Sequence, residues 1–169
     1  QDDIREIFAN RTHNRPETDT RPLALVVMTT EDWNTAFEYN SIKKLMEHHR
    51  VLYFEADKDT EFEHAMRHVI ESGEQVSVMV IGGHASQKAL AFGAGDPARV
   101  GYDADDDQAY LDMTDRDLLA DELHRAVADQ GHIVIKGCST GLGREGAENI
   151  ANLVAEMAPQ AHVYAPTVP

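Results

Sequence analysis

Val76-Ser-Val-Met-Val-Ile-Gly-Gly-His84 decides how this chain is read: an uncharged, mostly apolar run, two glycines, then an imidazole. An apolar run of that length suits a strand buried on both faces, as in parallel sheets. Leu23-Ala-Leu-Val-Val-Met28 repeats the pattern upstream, between Pro22 and Thr29. Downstream, His132-Ile-Val-Ile135 runs into Gly137-Cys138. Val51-Leu-Tyr-Phe54 and His162-Val-Tyr164 complete five expected strands.

Helical spacing fills the gaps between them. Residues 34–48 place Phe37, Ile42, Leu45 and Met46 on one side, and a helix starting near Asp57 or Thr60 carries Phe62, Ala65, Met66, Val69 and Ile70 before stopping at Gly73. Thr114 or Asp115 is expected to cap a helix bearing Leu118, Leu119, Leu123, Ala126 and Val127, which stops at Gly131. The last helix has Ala147, Ile150, Ala151 and Val154 on one face. Between Ala85 and Met113 the alternation pauses. There Ala89-Leu-Ala-Phe92 and Ala109-Tyr-Leu111 suggest a small hairpin.

Strands alternating with helices imply right-handed βαβ crossovers. The expected fold is therefore α/β, a three-layer sandwich with a mostly parallel sheet and helices on both faces. Residues 1–21 read as an N-terminal extension with a short helix around residues 4–8, and residues 22–169 as the domain. The domain stops just after its fifth strand, which leaves room for a further domain or subunit at the C-terminal edge.

Thirty acidic against fifteen basic residues give a formal charge of -15. Such a surface repels phosphate backbones and anionic lipid, so neither nucleic acid nor a membrane is an expected partner. It attracts basic substrates. No stretch approaches the ~20 apolar residues of a membrane helix, and no signal-peptide core precedes residue 30. A soluble chain is expected; its opening on Gln1 in place of methionine is consistent with processing, and localisation stays open. With one cysteine in the chain, an intrachain disulfide is impossible.

In open parallel sheets, ligands bind beyond the carboxyl ends of the strands. His84 and Cys138 both fall there, each directly after a glycine. If their strands are neighbours, about 4.8 Å apart, the two side chains can meet across the crevice. The expected helix after Cys138 would favour a thiolate through its dipole, and the imidazole would assist. The amides of Ala85 and Cys138 are candidates for holding a developing oxyanion. Gly83, Ser86 and Ser139 are the candidate substrate contacts.

The blocks Val78-Met-Val-Ile-Gly-Gly-His84-Ala-Ser86, Tyr110-Leu-Asp-Met113 and Ile133-Val-Ile-Lys-Gly-Cys138-Ser-Thr-Gly141 resemble the caspase, gingipain and clostripain superfamily of cysteine peptidases. The resemblance spans roughly residues 22–166, and its specific parts are the two strand ends. It implies a caspase-like fold and peptide-bond hydrolysis through a thioester acyl-enzyme, acting on a peptide or protein substrate without an organic cofactor. His84 would be the general acid/base, Cys138 the nucleophile, and the Ala85 and Cys138 amides the oxyanion hole. The superfamily usually has glycine after the histidine, where this chain has Ala85.

Two alternatives share these residues. Cys138-Ser-Thr-Gly-Leu-Gly-Arg144 matches the Cys-x5-Arg loop of tyrosine phosphatases, in which loop amides and the arginine cradle phosphate. That family typically has His before the Cys and Ser or Thr after the Arg, where this chain has Gly137 and Glu145. The other alternative is a catalytically inactive domain of caspase-like fold that binds a peptide or partner in the same crevice.

Metal signals are weaker. Asp103, Asp105 and Asp107 open like a calcium loop but lack its later Gly and Glu, standing as Gln108 and Thr114. A solvated acidic loop is the plainer reading, with calcium as the one cofactor to test. His64 and His68 are four apart on a helix, but the H-E-x-x-H pattern is absent and an exposed helix face explains them.

Overall fold

The computed structural model describes residues 19–30, 39–93 and 109–169. Leu23–Thr29 (β1), Arg50–Ala56 (β2), Val76–Gly82 (β3), Val127–Lys136 (β7) and His162–Tyr164 (β8) form one sheet in the order β2-β1-β3-β7-β8, all neighbours parallel. Between β3 and β7 lie His84–Ala85 (β4), Ala89–Ala91 (β5) and Tyr110–Asp112 (β6), a second, antiparallel sheet of three strands.

The helices are Tyr39–His48 (α1), Asp59–Glu71 (α2), Arg116–Ala126 (α3) and Ile150–Met157 (α4). Strand residues alternate between two cores. Leu23, Leu25, Val27, Met79, Ile81, Ile133 and Ile135 pack with α2, α3 and α4, whereas Ala24, Val26 and Met28 face Ile42 and Met46 of α1. The expected arrangement of a parallel sheet with helices on both faces is therefore present. Phe62 of α2 meets Phe92, just past β5, at 5.6 Å between ring centroids, both fully buried; burying each ring contributes roughly 1.5–3 kcal/mol. That contact locks the small sheet onto the main core.

Local signals worked where they were self-contained. Gly73 takes φ 74 just past α2 and its amide donates to the Ile70 carbonyl, so the helix stops where glycine was expected to stop it. Gly131 has a different job. α3 ends at Ala126 and the chain enters β7 at once, with a register slip between the Val76–Val127 and Val78–His132 pairs. Gln130 turns left-handed at φ 60 inside this irregularity. A Cβ on Gly131 would sit 2.8 Å from the Ala128 carbonyl oxygen, so glycine is needed for a tight kink within a strand.

The expected hairpin is part of a larger unit, because His84 and Ala85 themselves pair with Ala91 and Leu90. The expected N-terminal helix and the Asp103, Asp105 and Asp107 loop lie outside the described residues. Among the described residues no helix is long and apolar enough to cross a membrane.

Candidate active site

β3 and β7 are in register to their ends, Ile81 opposite Ile135 and Gly82 opposite Lys136. One further rung follows, the Gly83 amide donating to the Lys136 carbonyl at 3.2 Å. The next residues of each chain are His84 and Gly137-Cys138. Gly137 is held in close contact: a Cβ there would be 2.8 Å from the Ala85 Cβ and 3.1 Å from the Gly83 carbonyl oxygen. Both strand-end glycines are thus consequences of backbone crowding. The two candidate catalytic residues leave adjacent strands at this point.

They leave differently. His84 is half-buried, with its Nε2 enclosed, because it enters the antiparallel sheet as the first residue of β4. Cys138 is exposed. Ala85 takes an ordinary negative φ, since the left-handed non-glycine residues are Gln130, Ser139 and Arg144 among the described residues; alanine is compatible with this backbone. The Ser86 amide donates to Ala89 at 2.9 Å, so the adjacent Ala85–Leu90 pair is the non-bonded type and the Ala85 N–H points away from β5.

The nominated substrate contacts are tied into the fold through their backbones. Gly83 is buried, and a Cβ on it would lie 2.8 Å from Leu90 Cδ2. The Ser86 Oγ accepts from the Lys88 amide at 3.4 Å, closing the β4–β5 turn. The Ser139 amide donates to the Val168 carbonyl at 3.1 Å, and the Gly141 amide to Pro166 at 2.8 Å. Gly83, Ser86 and Ser139 therefore offer no backbone N–H to a substrate.

The expected helix directly after Cys138 is replaced by turns. Residues 139–149 wind back on themselves, and α4 begins only at Ile150. Its dipole therefore does not start at the thiol. The first α4 amides are already used: Ile150 donates to Gln87, Ala151 to Thr140, and Asn152 to the Asn149 side chain. In the Cys138–Arg144 loop, the Leu142 and Arg144 amides donate to Ser139 and Gly141, alongside those of Ser139 and Gly141 themselves. A phosphate cradle needs such amides turned to one anion. This loop turns five of them to protein carbonyls, Thr140 to Gly137 included, and Arg144 is exposed.

Several residues that shape the site carried no sequence flag. Buried Asn149 caps α4 and donates from its amide to the Leu142 and Arg144 carbonyls at 3.0 and 3.2 Å. Asn152 donates to the Arg144 and Ala147 carbonyls. Gln87, from the β4–β5 turn, donates to Leu142 at 3.1 Å, and Lys88 pairs with Glu148 at 2.9 Å. The His84 and Cys138 segments are thereby stitched together. The N-x-x-N spacing before an apolar helix was the available signal for Asn149.

A cleft of about 470 Å³ lies nearby between residues 145–149, α4 and Arg116. Neither His84 nor Cys138 lines it. Comparisons of this chain with models of protein families, with curated proteins and with solved structures find no match.

Proposed function

We propose that this domain is a cysteine peptidase of caspase-like fold, with Cys138 as nucleophile and His84 as acid/base. The observation that carries the reading is the last rung of the β3–β7 ladder, Gly83 N–H to Lys136 O, beyond which both residues emerge from neighbouring strand ends. An exposed thiol and a more enclosed imidazole, at the ends of neighbouring strands, suit a nucleophile that must reach substrate and a base that must be held in place.

In this mechanism the Cys138 sulfur, its proton taken by His84, attacks the scissile carbonyl carbon. The oxyanion is met by the Ala85 amide, which is turned away from β5, and by that of Cys138. Collapse breaks the C–N bond, His84 protonates the departing amine, and a thioester remains. Water, deprotonated by His84, then attacks the thioester, releasing the carboxylate product and restoring the thiol.

Because Cys138 is the chain's single cysteine, thiol labelling reports on one atom. The test is hydrolysis of a mixed peptide library together with alkylation by a peptidyl electrophile. Cys138→Ala and His84→Ala are each expected to lower hydrolysis by at least about 10³-fold, while Arg144→Ala is expected to leave it intact. Hydrolysis that survives Cys138→Ala, or turnover confined to phosphate esters and lost on Arg144→Ala, would overturn the reading. A folded protein inert to library and electrophile alike would point to a binding domain.

A further inference from the structure

On the sheet face opposite α2, α3 and α4, His132 of β7 and His162 of β8 stand directly across from each other in register. Both are exposed, with rings stacked at 5.5 Å between centroids and 26° between planes. We infer that this pair is a binding site for one divalent transition-metal ion of the class that prefers imidazole, Zn²⁺ or Ni²⁺, held by one ring nitrogen from each histidine. Nothing in the peptidase reading requires it.

Three observations converge. An imidazole binds such an ion at about 2.0–2.1 Å, which puts two ring centres sharing it at a tetrahedral angle roughly 5 Å apart, close to the separation already present. Each ring also has an outer partner on its other nitrogen. His162 Nε2 lies 3.0 Å from the Gln130 side-chain oxygen, and His132 Nδ1 lies 3.2 Å from the Tyr164 hydroxyl. A carboxamide oxygen only accepts, so His162 carries its proton on Nε2 and leaves the Nδ1 lone pair for an ion. With the Tyr164 hydroxyl accepting from His132 Nδ1–H, the lone pair on Nε2 is likewise available. Polar partners of this kind orient metal-ligating imidazoles.

The rings must turn about their own axes to aim both lone pairs at one point, a motion that exposed side chains make readily. Among the described residues no group of three or more His, Cys, Asp or Glu side chains surrounds a common point; the site as proposed takes its two protein ligands from this pair, with water in the remaining positions. The consequence is mechanical. Among the described residues the edge strand β8 pairs only with β7, and its continuation supplies the Pro166 and Val168 carbonyls that hold the Cys138 loop. An ion bridging β7 and β8 would fasten that continuation.

The test is calorimetric titration of Cys138→Ala protein, which removes the competing thiol, with Ni²⁺ and with Zn²⁺, followed by melting curves. A saturable event that raises the melting temperature is expected. His132→Ala and His162→Ala should each weaken it at least tenfold, and Tyr164→Phe several-fold with the fold intact by circular dichroism. The His64→Ala/His68→Ala double variant should keep it, and Ca²⁺ should not reproduce it, because hard ions prefer oxygen ligands. An event that survives His132→Ala or His162→Ala, that follows His64 and His68, or that never appears would overturn the site.

Discussion

The Gly83 amide and the Lys136 carbonyl, 3.2 Å apart, form the last rung between β3 and β7. Past it one chain turns into the small antiparallel sheet with His84, and the other into the Cys138 loop. How close those chains come depends on the smallness of Gly137.

Gly137→Ala is expected to destabilise the domain by about 1–3 kcal/mol, because the added methyl meets the Ala85 side chain and the Gly83 carbonyl and both belong to packed strands. Alkylation of Cys138 should change with it. Gly146→Ala is the control: its φ is 80, nothing lies within 4 Å of the added atom, and only the left-handed backbone cost of about 1 kcal/mol applies. Equal melting temperatures for the two variants would refute the crowding argument.

Asn149→Ala removes a helix cap and takes one donor each from the Leu142 and Arg144 carbonyls, which keep Gln87 and Asn152 as partners. A cap is worth about 1 kcal/mol, and each of the two lost hydrogen bonds about 0.5–1.5 kcal/mol. The expected loss is therefore roughly 2–3 kcal/mol, read by urea denaturation. Asn149→Asp keeps the cap acceptor but sets a carboxylate against two carbonyls, so it too should destabilise. If Asn149→Asp proves neutral, the side chain acts through the cap alone.

Arg144 holds φ 60 and an exposed side chain. Arg144→Gly relieves a left-handed cost of about 1 kcal/mol, partly offset by glycine's unfolded-state freedom. A melting temperature unchanged or slightly higher is expected, with Cys138 alkylation unaffected. Collapse of both would assign the arginine a role at the thiol.

Asp115 is buried where the start of α3 meets α2, with Asp59 and Asp112 beside it. Burial first, and then the two neighbouring carboxylates, push its carboxyl up to about 7, against the lowering pull of the hydrogen bond it accepts from the Asp112 amide. The folded state therefore keeps a proton that the unfolded chain releases in the ordinary carboxylate range. Stability is greatest below that range, falls as pH rises through it toward 7, and levels off above. Asp115→Asn is expected to flatten this decline in melting temperature between about pH 4 and pH 8, because an amide carries no titrating proton. An unchanged slope in that variant would place the pH dependence elsewhere.

The strands and their buried faces were legible in the sequence because apolar runs and 3.6-residue stripes record local burial, and Gly83-His84 and Gly137-Cys138 were legible because glycine before a reactive residue marks crowded backbone. The start of β7 was missed. Val127 continues the helical stripe of Leu119, Leu123 and Ala126, and its pairing with Val76 outweighs that local preference. The span after Cys138 was missed for the same kind of reason. The apolar face of Ala147, Ile150, Ala151 and Val154 suggests a helix that begins soon after Cys138, but the amides of the intervening span find partners at Pro166 and Val168, far along the chain.

The sequence by itself determined that this chain builds a parallel α/β sheet and puts a histidine and a cysteine at strand ends, since both follow from patterns within one segment. Tertiary structure alone decided that β3 and β7 are neighbours, that His84 enters a second sheet, and that the Cys138 loop turns its amides to carbonyls instead of to an anion. Those outcomes depend on which distant segments share a register and on which backbone groups find partners there, and no local window of residues contains that choice.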